Sequence, residues 1–216
     1  MRATVSGGGG DFKLPEEGLT VGRCVRVIDL GTQERVWSGK TSHIRQIFVS
    51  FELPDRLVEF DGEEVPSLLS KKYTLSFNEK ANLRKDLEQW YGKKFNDADI
   101  EASGGFDPSK ILDRPAQIMI THSTGNNGKT YANISGLMPL AKNMPIAERH
   151  HDLLLLDLDE FDQSVYDSLS ENMQEWIAKS PEYQQATMGG SSSEPADDPF
   201  DDIPFIDPYK FIRNLV

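Results

Sequence analysis

The sequence predicts a mainly β fold in which five strands form a barrel and one helix lies between the third and fourth strands. Three observations predict it. Apolar and β-branched residues alternate in five separate segments of the first 141 residues. One stretch with helical spacing of apolar residues falls between the third and fourth segments. After residue 141 the composition changes, and an amphipathic helix and a polar, acidic end follow.

The first three strands are predicted in the first half of this region. Residues 19–30, rich in β-branched side chains, form the first strand, and residues 31–41 form a polar loop after it. Residues 43–53 form the second strand, in which Ile47, Val49, Phe51 and Leu53 alternate onto one face. A long acidic connection is expected over residues 55–70, and the third strand over residues 71–77.

The helix and the last two strands follow in order. Leucine and aromatic residues at helical spacing predict a helix over residues 80–91, with Asn78 as its N-cap and Gly92 at its end. Residues 116–122 and 129–137 are predicted as the fourth and fifth strands. A turn rich in glycine and asparagine joins them, so they should form a hairpin.

The order of three strands, a helix and two strands is that of the OB-fold, a five-stranded barrel, although other small α+β domains share it. The chain then divides into a flexible leader (1–17), the barrel (18–141), a helical extension (142–185) and a flexible acidic tail (186–216). In the extension, a helix is predicted over residues 162–180, ended by Pro181. That helix has three possible roles: packing on the barrel, pairing with a second subunit, or holding a partner.

Charge is distributed unevenly along the chain. The formal net charge of −12 argues against a polyanionic partner. Residues 1–141, however, hold 18 Lys and Arg against 19 Asp and Glu, a net of −1, whereas residues 142–216 hold 5 against 16, a net of −11. A basic groove on the barrel is therefore possible, and so is a globular domain with a merely solubilising acidic tail.

The tail contains a short acidic and aromatic motif, which follows a segment rich in glycine and serine. Such a sequence cannot bury enough apolar surface to fold alone, so we expect a mobile anionic peptide with a few hydrophobic anchors. We predict that it binds partner proteins through Asp197, Asp198, Phe200, Asp201, Asp202, Ile203, Pro204 and Phe205.

An OB-fold carries nucleic acid across strands two and three and the loops joining strands one to two and four to five. Single-stranded DNA offers phosphates to Lys and Arg, and base faces to aromatic rings. The predicted elements at these places carry both residue types. The candidate DNA-binding residues are Arg23, Arg26, Arg35, Trp37, Lys40, Arg45, Phe48, Lys71, Lys72, Tyr73, Lys129 and Tyr131. Core packing is the alternative for Tyr73 and Tyr131, and contact with a helix or a second subunit is the alternative for Phe48.

Other classes of function have weak support. The adjacent His150 and His151 lack the ligand spacing of a metal site. Motifs for a phosphate-cradling loop, a nucleophile elbow and paired cysteines are missing from the sequence, so neither enzymatic activity nor a cofactor is expected. The single cysteine, Cys24, excludes an internal disulfide and suits a reducing cytoplasm. No apolar run approaches the length of a membrane span.

Three sequence features resemble bacteriophage single-stranded DNA-binding proteins. They are Asp-Leu-Gly-Thr-Gln at 29–33, Tyr-Thr-Leu-Ser-Phe-Asn-Glu-Lys-Ala at 73–81, and the tail sequence Asp-Asp-Ile-Pro-Phe at 201–205. The resemblance implies protection of unpaired strands in phage DNA replication, recombination and repair, in the host bacterial cytoplasm. It also implies that the tail recruits replication and recombination proteins.

One departure from that family concerns the tail. In the bacterial proteins the motif ends the chain, and partners hold its last phenylalanine with the free carboxylate. Here Phe205 is followed by eleven residues, 206–216, which are apolar and mildly basic. Two other functions stay open: a recombination mediator or annealing protein, and a protein–protein adaptor built on an OB-like barrel. Homo-oligomerisation is also possible.

Overall fold

The computed structural model describes residues 14–60, 62–146 and 148–187, except for the side chains of Trp37 and Phe60. The described strands are β1 (Gly18–Trp37), β2 (Lys40–Phe60), β3 (Glu63–Thr74), β4 (Pro115–Thr124), β5 (Thr130–Met138) and β6 (Leu154–Leu156). The described helices are α1 (Asn82–Tyr91), α2 (Asp97–Ala102), α3 (Gln163–Asp167), α4 (Glu171–Ala178) and α5 (Pro181–Ala186), with a 3₁₀ turn at Pro108–Ile111.

The five long strands form one antiparallel sheet in the order β3-β2-β1-β4-β5, curled as a half-barrel. The short β6 pairs in parallel with Arg26–Ile28 of β1. The register of β1 against β2 shifts between Cys24 and Arg26 and again between Asp29 and Gly31. Such bulges bend a strand, which lets β1 pair with β4 at one end and with β2 along the rest. The mainly β prediction, with a helix between the third and fourth strands, is confirmed.

The first strands are longer than predicted. The expected loop over residues 31–41 is instead the end of a hairpin, in which Ser38 and Gly39 both have positive φ (49° and 74°). That pair of conformations suits a two-residue turn matching the twist of the strands. The expected connection over residues 55–70 is also wrong, because β2 continues past Pro54 through a register shift between Leu53 and Leu57. A bulge tolerates a proline, which has no N–H to donate.

The concave face of the sheet holds the main core together with α1, and we call these buried side chains the inner cluster. Phe51 of β2 packs against Trp90 of α1, with ring centroids 5.3 Å apart, and Trp90 Nε1 donates to the Pro115 carbonyl at 2.8 Å. Cys24 is also buried in this cluster, and burial raises the pKa of its thiol. Gly92 ends α1 in the left-handed conformation, as predicted. Asn78 is not the N-cap, because α1 begins only at Asn82.

The opposite face of the sheet is covered by residues 150–187, which we call the C-terminal layer. The single helix predicted over residues 162–180 is divided into α3 and α4; α4 ends before Pro181, which begins a further helix, α5. Side chains of the layer pack on apolar residues of β1 and β2. These buried residues, the outer cluster, are Ile28, Leu30, Phe48, Leu156, Leu158, Tyr166, Leu169, Met173, Trp176 and Ile177. Packing on the sheet is therefore the role that the structure shows for this extension.

Among the described helices, none combines the length and apolar character required to cross a membrane.

Candidate nucleic-acid interface

The aromatic candidates whose side chains are described lie inside the protein. Phe48 is 4% exposed in the outer cluster, and Tyr73 is 4% exposed in the inner cluster. Tyr131 is buried at the β4–β5 hairpin, where its hydroxyl accepts a hydrogen bond from Asn127 Nδ2 at 2.6 Å. The burial of these rings favours the alternatives given for them, which are core packing for Tyr73 and Tyr131 and contact with a helix for Phe48. Trp37 ends β1 at the hairpin, and its side chain is outside the described part of the structure.

Two basic candidates, one in the central strand β1 and one in the edge strand β3, form ion pairs with carboxylates. Arg23 Nη1 lies 3.0 Å from Asp113 Oδ1. Lys71 Nζ lies 2.6 Å from Asp86 Oδ2, and the Tyr73 hydroxyl donates to the same oxygen at 2.8 Å. Burial, followed by the charge of Asp86, raises the pKa of Tyr73 well above its usual value. These contacts tie β3 to α1 and leave the carboxylates, rather than an external anion, as the partners of both cations.

Lys72 and Arg26 lie beneath or beside the C-terminal layer. Lys72 pairs with Phe48 across β2 and β3, and its ammonium lies 4.3 Å from the centroid of the Trp176 ring. A cation over an indole face is an attractive contact. Arg26 is buried next to β6 and lines a surface depression with His151 and Leu153. The β2–β3 surface on which an OB-fold carries nucleic acid is thus occupied by the chain itself.

Energetics indicate that this cover is permanent. The outer cluster contains ten buried side chains, most of them large and apolar. Burying a large apolar side chain is worth about 1.5–3 kcal/mol, whereas stacking one base on an aromatic ring is worth about 1–3 kcal/mol. A few stacked bases cannot offset the loss of the whole cluster. The packing of the outer cluster therefore accounts for the covered face as a structural face.

The most open basic surface among the candidates is the hairpin end of β1 and β2, residues 34–43, which we call the β1–β2 arm. Arg35 and Lys40 are both exposed there. Arg35 pairs with Ser42, and Lys40 lies two residues from Ser42, so the two cations share one face of the ribbon. Val36, on the other face, is 57% exposed. An exposed two-stranded ribbon with two cations on one face can contact the phosphates of an extended strand.

Lys129 is also exposed, at the β4–β5 hairpin. The pairing places that hairpin beyond the amino end of β1, because Gly18 pairs with Ile120 and β4 continues to Thr124. The β1–β2 arm is at the carboxyl end of β1. The structure therefore puts Lys129 and the arm at opposite ends of β1 and does not gather the twelve candidates into one groove.

The base of the arm contains a group of charges that the sequence analysis recognised only in part. Arg45 Nη2 lies 2.5 Å from Asp29 Oδ2 and 3.0 Å from Asp159 Oδ1. The hydrogen bond to Asp29 raises the pKa of Arg45, so its charge is permanent. Thr32 pairs with Arg45 across the strands. Arg45 is therefore fixed by β1 on one side and contacted by the C-terminal layer on the other.

Glu182 of α5 completes this group. Its carboxylate accepts hydrogen bonds from the Thr32 backbone N–H at 2.7 Å and from the Thr32 hydroxyl at 2.6 Å. Burial acts to raise the pKa of Glu182, but the Thr32 hydrogen bonds and the charge of Arg45 outweigh it and lower the pKa. Gly31 has a φ of 69°, and a Cβ there would lie 2.3 Å from Ser180. The glycine thus allows the start of α5 to approach β1.

Glu52 is an anchor that the sequence analysis missed. It lies in β2, 1% exposed, and accepts hydrogen bonds from the backbone N–H groups of His150 and His151 and from His151 Nδ1 at 2.6 Å. Burial acts to raise the pKa of Glu52, but these hydrogen bonds and the His151 partner outweigh it and lower the pKa. The histidine pair therefore fastens the start of the C-terminal layer. A glutamate at an alternating strand position gives no sequence signal of such a distant partner.

The described residues contain no group of three or more His, Cys, Asp and Glu placed to hold a metal ion. The predicted partner-binding residues, Asp197 to Phe205, lie outside the described ranges.

In comparisons with known proteins, no protein-family model matches this sequence, and no curated protein matches it.

Proposed function

We propose that this protein is a non-enzymatic, sequence-tolerant binder of single-stranded DNA that acts in phage DNA replication, recombination and repair in the host bacterial cytoplasm. The observation that carries the proposal is the exposed β1–β2 arm, which presents Arg35 and Lys40 on one face at the end of a curled, OB-like half-barrel. The arm corresponds to the loop between strands one and two with which OB-folds contact nucleic acid.

The chemistry of the arm suits a flexible, charged chain better than a small molecule. Two cations on a ribbon attract phosphates without reading base edges, so binding is tolerant of sequence. Trp37 follows Val36 at the turn and is the aromatic residue that we expect to stack on a base. Phe48, Tyr73 and Tyr131 are not part of this interface, because they are buried.

The acidic end of the chain has a separate role in the proposal. Residues 142–216 carry a net charge of −11, and Asp197 to Phe205 combine four aspartates with two phenylalanines. Such a peptide is attracted to basic surfaces of other proteins and can insert its aromatic rings into their pockets. We propose that it recruits replication and recombination proteins while the arm holds DNA.

The test is a gel-shift series with single-stranded and duplex oligonucleotides at increasing salt. We expect preference for the single strand, with binding weakened by salt. The double variant Arg35→Gln/Lys40→Gln should reduce the salt slope by about 1.4, since each phosphate contact on a single strand contributes about 0.7. Lys80→Gln/Lys85→Gln is the matched control, because it removes the same charge from exposed residues at and just before α1. If both double variants lost the same amount of salt slope, the arm would not be the DNA-binding surface.

Two outcomes would support the other functions. No binding to single-stranded DNA at low salt would favour a protein–protein adaptor. Binding accompanied by faster pairing of complementary strands would favour an annealing protein or recombination mediator.

Deletion of residues 194–216 should leave DNA affinity equal or higher, because it removes a competing polyanion. A marked loss of affinity on that deletion would contradict the role given to the tail.

A further inference from the structure

The C-terminal layer places carboxylates on anion-binding groups at the base of the β1–β2 arm. Asp159 Oδ1 lies 3.0 Å from Arg45 Nη2, and the Glu182 carboxylate receives both the N–H and the hydroxyl of Thr32. An N–H, a hydroxyl and a guanidinium are also the donors with which proteins hold phosphate oxygens. From these contacts, and on the basis of the proposed function, we infer that Arg45 and Thr32 form a phosphodiester site in which Asp159 and Glu182 take the place of phosphates.

The Arg45 guanidinium is already fixed in position to bind a phosphate. Its partner Asp29 is 7% exposed at the side chain and belongs to the neighbouring strand, so this ion pair fixes the guanidinium within the sheet. Asp159, by contrast, is 69% exposed at the side chain. A carboxylate that stays in water contributes little to an ion pair. A DNA phosphate can therefore replace Asp159 at Arg45 without disturbing Asp29.

The two carboxylates lie outside the ten buried residues of the outer cluster. Asp159 lies in a turn before α3. Glu182 lies in α5, a helix of six residues in which only the partly buried Tyr183 packs against the outer cluster. The ten residues of the outer cluster are all earlier in the chain than α5. Exchange at this site therefore needs only the Asp159 and Glu182 side chains to turn away from Arg45 and Thr32, while Tyr183 keeps α5 on the outer cluster. The layer thus sets the affinity of the arm for DNA.

The inference is tested with the full-length protein and a fluorescent oligo(dT), by anisotropy across a salt series. Asp159→Asn should raise affinity about five-fold at 0.1 M salt and steepen the salt slope by about 0.7, the effect of one added phosphate contact on a single strand. Glu160→Gln is the matched control, since it removes the same charge from the next residue, which is exposed and forms no ion pair with the described residues. The control should leave the slope unchanged.

The outcomes separate this inference from the proposed function. If the wild-type protein fails to bind oligo(dT) at low salt, the proposed function itself is wrong. If the wild type binds and both variants show the same affinity and slope, the exchange at Arg45 is overturned while DNA binding stands. Adding Arg45→Gln to Asp159→Asn should abolish the gain. A gain that persists in that double variant would also overturn the inference, provided that circular dichroism shows a folded protein.

Discussion

The two faces of the β1–β2–β3 sheet are both buried, but they are covered by different parts of the chain. On the inner face Phe51 packs against Trp90 of α1, a helix between β3 and β4. On the outer face Phe48, three residues earlier in the same strand, packs under α3 and α4, more than a hundred residues later. The two phenylalanines are 0% and 4% exposed. A phenylalanine on either face of this strand is therefore a core residue.

The comparison shows which surfaces of the sheet are accessible to a binding partner. A sheet covered on both faces has only its hairpins and edges left for a large partner. In this chain the β1–β2 arm extends beyond both clusters, and the layer contacts its base through the exposed Asp159 and the partly buried Glu182. The outer face supports stability. The carboxylates of Asp159 and Glu182, which we call the rim of the layer, are where we expect regulation of DNA binding.

The largest expected effect tests whether the two faces of the sheet contribute equally to the stability of the protein. Phe51→Ala and Phe48→Ala should each lower the free energy of unfolding by about 3–5 kcal/mol, because each removes a fully enclosed ring and leaves a cavity. Chemical denaturation measures both. Val36→Ala, in the exposed arm, is the control and should change stability by less than about 0.5 kcal/mol. A Phe48→Ala effect as small as that of the control would mean that the layer is not stably packed.

The sequence predicted the half-barrel well because the inner face follows simple alternation. Ile47, Val49 and Phe51 lie in phase, and all three are buried in the inner cluster. Phe48 lies out of phase, which favoured an exposed position, yet it is buried by residues of the C-terminal layer. Alternation describes a sheet with one covered face, whereas strands covered on both faces carry apolar residues in succession. The run Val27-Ile28 in β1 was such a signal.

Site residues were harder to predict, because charge partners are set by tertiary contacts. Arg23, Arg45 and Lys71 were candidates for phosphate, and in the structure each forms an ion pair with a carboxylate from another element or loop. Arg35, Lys40 and Lys129 are exposed, as a DNA-binding role requires. Residue type and strand assignment identified these cations, but only the fold shows which of them meet solvent.

An intermediate effect is expected at the anchor between the outer face and the layer. Glu52→Gln should lower the free energy of unfolding by about 1–3 kcal/mol, since an amide cannot accept all the hydrogen bonds from His150 and His151 and places its own donors among theirs. Because the folded pKa of Glu52 lies below its usual 4.5, its stabilisation is present above that pH and is lost as the pH falls through the folded pKa.

Denaturation at pH 6 and at successively lower pH measures this linkage. The wild type should lose more stability on acidification than Glu52→Gln, which has no titrating group at this position. Identical pH profiles for the two proteins would show that the anchor does not contribute to acid sensitivity, and the attachment of the layer would then depend on the outer cluster alone.

The smallest expected effect is at the rim, where Thr32→Val removes the hydroxyl donor to Glu182 and keeps a β-branched side chain in β1. The global free energy of unfolding should fall by about 1 kcal/mol or less, because one hydrogen bond to a partly exposed carboxylate is lost while the Thr32 N–H remains. Amide hydrogen exchange should show faster exchange confined to α5, with α4 unchanged, since α5 is held on the outer cluster only by the partly buried Tyr183, whereas α4 contributes three buried side chains. A loss of protection that spread through α4 would mean that rim and cluster open together, and a phosphate could not then replace Glu182 without uncovering the sheet.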